Sequence, residues 1–231
     1  VTDFFFFFSL AEITTKIDII DEIDGVEVLG IKTNYNDCPD GPPSPAYNNS
    51  YPSVKKVILP DNMKYIDFYG LNCFPSVERL YLPEDLLRMG EGAFMGMESL
   101  KSITIPSGVH SIYYRAFENC KSLTKVVLGE NVEYISDYAF NGCESLTTIN
   151  FPDSLKSIGD WAFSETALTK VVIPENVKLW EGPFSGCKNI EKIVFPIGND
   201  FFHFDTVGTT TTGGTPQDTD MKHQTLFKSG V

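Results

Sequence analysis

A block of 22 or 23 residues recurs along this chain, opening at Val54, Val77, Leu100, Leu123, Leu146, Leu168 and Ile190. Self-similarity at a fixed period of that length predicts a solenoid. One such unit is too short to bury its apolar face alone and must stack on copies of itself. The fullest copy runs from Leu100 through Ile103, Ile105, Pro106, Gly108, Val109 and Ile112 to Ala116, Phe117 and Cys120, and Leu123 opens the next. Three regions follow: 1–53 as an N-terminal cap and polar loop, 54–197 as the repeats, and 198–231 as a C-terminal cover with a disordered tail.

Each phase of the repeat has its own duty. The opening run, for example Leu123-Thr-Lys-Val126-Val-Leu128, alternates like a short parallel strand. Pro60, Pro83, Pro106, Pro152, Pro174 and Pro196 follow it, with Gly129 in the fourth copy. Proline lacks an N–H and suits a strand end. Two residues on, Asn62, Gly108, Asn131 and Asn176 are types that tolerate the left-handed backbone of a tight turn. Val132 and Ile135, and their equivalents, then point back into the stack.

Next come Ala93-Phe94, Ala116-Phe117, Ala139-Phe140 and Ala162-Phe163. The phenylalanines are expected to form one continuous column, each ring burying about 150 to 250 Å². A short helical turn through the Cys phase is expected to lead into the next strand. The first copy carries Gly70-Leu71 instead, and the sixth carries Pro183-Phe184 one residue early.

The flanks are less regular. Ile17 to Ile31 alternates apolar and acidic residues like a strand pair, with Asp24-Gly25 as its turn. Residues 32–53 form a loop rich in Asn, Asp, Pro and Gly, holding the sequon Asn48-Asn49-Ser50. Phe4 to Phe8 followed by Ser9-Leu10-Ala11 has two readings, the tail of a secretory signal cleaved after Ala11 or a strand that caps the stack. After Pro196, Phe201 to Phe204 reads as a cover for the last open face, and the polar run from Gly208 to Pro216 begins the tail. No stretch reaches the 18 or more apolar residues of a membrane-spanning helix.

The phases L-x-x-[VI]-x-[LIF]-P, V-x-x-I and A-F-x-x-C-x-x-L, coupled at fixed spacing, resemble the BspA-like class of leucine-rich repeats. That resemblance implies an α/β fold: a right-handed solenoid with a parallel sheet of short strands on one face and short helical turns or loops on the other. It also implies a non-catalytic protein at the cell surface or outside the cell that binds other proteins or host surfaces, with no cofactor. A cytoplasmic address is the alternative.

Charge and chemistry narrow the function further. The net charge is −13, and no basic run or tail offsets it. Binding phosphate requires clustered Lys and Arg, so general nucleic-acid binding is excluded. Of five cysteines, Cys120, Cys143 and Cys187 share one repeat phase, which predicts a buried column of free thiols. A bridge from Cys38 or Cys73 is the alternative in an oxidising compartment. His110, His203 and His223 lie in distant parts of the sequence, and no nucleophile elbow, zinc helix or phosphate loop occurs. An enzyme and a metal site are therefore not expected, and the recurring acids Asp137 and Asp160 read as solvated outer-face charges.

The outward face of the opening strands is the candidate site. Phases three and five face solvent if phases four and six are buried. Phase three reads Lys56, Arg79, Ser102, Lys125, Thr148, Lys170 and Lys192, mostly basic in an acidic chain. Phase five beside it includes Ile58, Tyr81, Val127 and Val172. Lys56, Arg79, Tyr81, Lys125, Val127, Lys170, Val172 and Lys192 would then form a landing surface for a protein or host-surface macromolecule, presented by a monomer. The bland alternatives are a solubilised strand face that binds nothing and a passive spacer whose repeats only set length.

Overall fold

The computed structural model describes residues 51–195 continuously, together with strands at Lys16–Asp18, Glu22–Ile23, Val26–Glu27, Gly30–Ile31 and Leu226–Lys228. Several expectations fall outside these residues: the fate of Phe4 to Ala11, the sequon at Asn48, Cys38, the cover at Phe201 to Phe204 and the tail from Gly208.

One turn shows how the sequence sets the path. Leu123 is buried, and Lys125–Val127 is a strand with Val126 inward and Lys125 outward. The N–H of Val132 donates to the carbonyl of Gly129, closing a tight turn. In the neighbouring turns the same bond runs from Val109 to Pro106 and from Leu155 to Pro152. Proline thus ends the strand, where its missing N–H costs nothing and its carbonyl is used. A second strand follows at Tyr134–Ile135, with Ile135 buried.

Those second strands build the longest sheet in the molecule, a seven-stranded parallel ladder. It runs from Gly30–Ile31 through Tyr65–Ile66, Arg88–Met89, Ser111–Ile112, Tyr134–Ile135 and Ser157–Ile158 to Lys178–Leu179. A single sheet formed by the opening strands was expected. Those strands instead make shorter ladders: Lys16–Asp18 with Lys56–Ile58, then Ser102–Thr104, Lys125–Val127 and Thr148–Ile149, and then Lys170–Val172, Lys192–Phe195 and Leu226–Lys228. Arg79 joins the middle group through one bridge to Ser102. Glu22–Ile23 and Val26–Glu27 pair antiparallel across Asp24 and Gly25, the hairpin that the acidic alternation predicts.

The ladder of opening strands stops between Thr148–Ile149 and Lys170–Val172. Here the link into the strand is one residue short: Thr166-Ala167-Leu168 stands where other turns have the Cys-x-x-Leu spacing. One turn earlier, Asn150 already replaces backbone pairing with its side chain. Its Oδ1 accepts from the Leu128 N–H at 2.7 Å, and its Nδ2 donates to the Leu128 carbonyl at 3.0 Å.

The fold class needs one correction. Among the described residues there is no helix, so the molecule is a parallel β-solenoid rather than an α/β one. The Ala-Phe phase shows why. The N–H of Phe117 donates to the carbonyl of Ala139 at 2.8 Å and that of Phe140 to Ala162 at 2.7 Å, so these groups bond the next turn instead of a residue four back. Two left-handed residues also bracket each such phase. Tyr138 has φ 56° and Gly142 φ 70°, and Arg115 and Asn119 repeat the pattern at 54° and 60°. A right-handed helix cannot pass through them. The left-handed positions expected after each proline are, apart from Asn176, found here instead.

The core is a set of columns. Phe94, Phe117, Phe140, Phe163 and Phe184 stack with centroids 4.8, 5.2, 5.1 and 5.5 Å apart and planes within 12° of parallel. Leu71 continues the column at one end, because its N–H reaches Ala93 as that of Phe94 reaches Ala116. Such stacked pairs add roughly 0.5 to 1.5 kcal/mol each beyond area burial. The Cys phase is more than apolar filling. Cys120, Cys143 and Cys187 donate S–H bonds to the carbonyls of Phe94, Phe117 and Phe163 in the preceding turn. All four described cysteines, Cys73 included, are free thiols.

Candidate functional site

The opening strands place their first residues outward and their second inward. Val57, Leu80, Ile103, Val126, Val171 and Ile193 are buried, while Lys56, Arg79, Lys125, Lys170 and Lys192 are exposed. Tyr81, at 80% exposure, is the most open large apolar side chain of the face, and Val172 and Ile58 are exposed as well. Val127 is half-buried rather than open. Asn150, in the same row, is committed to Leu128.

The register brings like charges together. Lys170 pairs with Lys192, and Lys125 lies between Ser102 and Thr148. At the other end the backbone of Lys16 stands in register with that of Lys56. Lys16 lies outside the repeat period, so counting phases from Val54 does not find it; the alternation of Lys16-Ile17-Asp18 is its signal. Neighbouring parallel strands lie about 4.8 Å apart, and like charges at that distance destabilise a sheet.

Elsewhere the turns match opposite charges. Lys101 meets Glu78 of the preceding turn at 2.5 Å, Lys121 meets Glu98 at 2.9 Å and Lys156 meets Glu133 at 2.7 Å. Arg88 meets Asp67 at 2.7 Å. Hydrogen bonds from Lys101 and Lys156 hold the carboxyls of Glu78 and Glu133 below their ordinary range. Among the described residues, Lys56, Arg79, Lys125 and Lys170 make no ion pair. Four cations of the phase-three row thus stand exposed without partnering acids among the described residues.

A second face was not anticipated. The strands of the long ladder alternate outward and inward, which exposes Tyr65, Tyr134 and Trp180 near their ends. Beside them runs a column at the left-handed position before each Ala-Phe: Arg115, Tyr138 and Trp161, with Gly92 before and Gly182 after. The Tyr138 and Trp161 rings stack at 6.2 Å, and the Arg115 guanidinium lies 5.0 Å from the Tyr114 ring and 5.4 Å from that of Tyr138. The recurrence of Tyr before the inward Ile, in Tyr65-Ile66 and Tyr134-Ile135, was a legible signal for part of it.

The acids Asp137 and Asp160 are not a catalytic pair. Asp137 Oδ1 accepts from the Asp160 N–H at 2.8 Å, and Asp160 Oδ1 from the Glu181 N–H at 2.6 Å. Each carboxylate ties one turn to the next. Among the described residues no group of three or more His, Cys, Asp or Glu could hold a metal ion. Among the same residues no helix is long and apolar enough to cross a membrane.

Comparison with known proteins agrees with this geometry. The profile of the BspA type leucine-rich repeat region matches residues 44–135 and 110–207, with 6 copies. A leucine-rich repeat protein from Eubacterium ventriosum superposes with a TM-score of 0.60 at 21% identity, over 75% of this chain and 43% of that one. One from Bacteroides ovatus gives 0.51 at 21% identity, over 79% of this chain and 56% of that one. The chain therefore spans about half the length of these solved relatives. No curated protein matches the sequence.

Proposed function

We propose, since the chain belongs to the BspA type leucine-rich repeat family, that it is a non-catalytic scaffold that recognises a macromolecule at or outside the cell surface. The strand face carries the recognition. The observation behind this reading is the exposed phase-three row, in which Lys56, Arg79, Lys125 and Lys170 make no ion pair among the described residues, in a chain of net charge −13. Exposed cations without acids of their own gain them when an acidic or mixed protein surface docks on the row. Tyr81 and Val172 lie beside the cations and supply apolar contact area. A rigid stack holds the row in place without ordering cost at binding. Residues 1–53 would cap one end of the stack, and 198–231 would cover the other.

The test is a charge-reversal variant, Arg79→Glu with Lys125→Glu and Lys170→Glu. The wild-type chain, immobilised, is expected to retain an acidic protein from cell or host-surface extracts at low salt and release it near 1 M salt, where the Debye length falls to about 3 Å. The variant should retain its circular dichroism spectrum and lose the partner. Equal retention by the variant overturns the reading, and so does retention of nothing by the wild type.

A further inference from the structure

The column beside the long ladder holds side chains where the backbone would favour glycine. Arg115, Tyr138 and Trp161 have φ of 54°, 56° and 56°, a conformation that bulky residues rarely adopt. Glycine stands at the same position in the turns on either side, Gly92 and Gly182, so the fold itself does not require a side chain there. What the three share is planarity and contact: Arg115 lies over Tyr138, and Tyr138 stacks on Trp161.

The stack then ends in open space. Trp161 is 40% exposed, and the next place in the column belongs to Gly182. A Cβ built on Gly182 would meet only the Ser185 Cβ, at 3.5 Å. At the other end of the column the corresponding space is filled, because a Cβ on Gly92 would lie 2.2 Å from the ring of Tyr69. The column position after Trp161 therefore carries no side chain, and the Cβ direction at Gly182 meets nothing closer than Ser185.

We infer that the open place beside Trp161 and Gly182 binds an arginine side chain of a partner peptide. Arg115 shows what such an occupant looks like, for it is a guanidinium already stacked on rings of this column. The surroundings favour a cation. Glu181, next to Gly182 in the chain, is exposed, while Lys178 is engaged 3.5 Å over the Trp180 ring. The chain has three arginines, and none is placed to serve: Arg88 pairs with Asp67, Arg115 lies in the column and Arg79 is on the opening-strand face. The occupant comes from another molecule. A guanidinium suits the place better than an ammonium because it is flat, weakly hydrated and able to stack on an indole while bonding a carboxylate.

The chain contains two tryptophans, Trp161 and Trp180, so Trp180→Phe leaves Trp161 as the sole indole reporter. In this background N-acetyl-arginine amide is titrated against Trp161 emission, with the citrulline and lysine analogues as controls. The arginine derivative should give a saturable change, and both analogues should bind at least about tenfold more weakly, a difference of 1.4 kcal/mol. Two variants test the location. Trp161→Gly adopts the residue found at this position in the next turn, and its binding, read by nuclear magnetic resonance shifts, should vanish with the fold intact. Gly182→Arg copies the placement of Arg115 and should block the probe by filling the place itself.

Equal responses to arginine and citrulline would overturn the inference, as would undiminished binding in Gly182→Arg or no saturable change at all. A Trp161 response that follows protein concentration without probe and disappears in Arg79→Ser would overturn it in favour of self-association. The charge-reversal variant leaves this column untouched, so failure of one surface is distinguishable from failure of the other.

Discussion

The thiol of Cys143 donates to the carbonyl oxygen of Phe117 at 3.1 Å, across the boundary between two turns. That carbonyl also accepts the N–H of Cys120, so a single oxygen closes its own turn and receives a side chain from the next. Burial pushes the Cys143 thiol well above its ordinary range, and keeps it a hydrogen-bond donor rather than a nucleophile. Cys120 and Cys143 are therefore expected to resist iodoacetamide in the folded protein at about pH 8, and to react once urea unfolds it. Mass spectrometry of the alkylated peptides reads the outcome. Rapid native labelling of both would contradict the buried column.

The same burial makes stability depend on alkaline pH. The thiol of Cys73 is pushed up to about 12 and that of Cys187 is raised, both by desolvation. In the unfolded chain cysteine loses its proton near pH 8.5. Above that value the unfolded state binds fewer protons than the native state, so stability falls as pH rises, and for Cys73 it goes on falling until about 12. Urea midpoints measured at about pH 7.5 and 9.5 should show the decline, and Cys73→Ala should lessen it. A midpoint that rises over this interval would reverse the sign worked out here.

Phe140 stacks on Phe117 and Phe163 at 5.2 and 5.1 Å and is fully buried. Phe140→Ala should cost about 3 to 5 kcal/mol in chemical unfolding, because the stack cannot close around the gap. Phe140→Leu should cost clearly less, since Leu71 fills the same column one end further on. Equal losses from the two substitutions would mean that ring stacking, rather than volume, dominates the column.

Gly129 replaces the usual proline at a close approach between two turns. A Cβ there would sit 2.6 Å from the Pro106 carbonyl oxygen and 2.9 Å from that of Ile105, and neither backbone can give way. Gly129→Ala should lower stability by about 1 to 3 kcal/mol. Gly96 has nothing within 4 Å of its Cβ position but a φ of 73°, so Gly96→Ala should lose only the left-handed penalty of about 1 to 2 kcal/mol. Thermal melts of the two variants separate crowding from conformation.

Much of this was readable before any coordinates. Apolar residues at fixed phases, and Phe117 with its equivalents, define the columns, because burial repeats whenever the period does. The outward placement of Lys125, Lys170 and Arg79 follows from strand alternation alone. What stayed hidden depends on bonds between turns. Nothing local in Ala116-Phe117 says that the Phe117 N–H will seek Ala139 rather than close a helical turn. Nothing about Arg115, Tyr138 or Trp161 announces a left-handed backbone, since only the stacking across turns makes that conformation tolerable. Lys16 escaped because it pairs with Lys56 from outside the repeat.

The short link at Thr166-Ala167-Leu168 has a mechanical consequence. Between the fifth and sixth turns the opening strands make no pairing, so the backbone bonds of the long ladder and the Ala-Phe phase hold those layers together there. A protein held at one end and bound at the other is loaded along its axis, and this seam, like the one between Lys56–Ile58 and Arg79, meets tension without opening-strand bonds. Lys170 and Lys192 lie on the far side of it from Lys125, so a partner gripping the whole row would splint this joint.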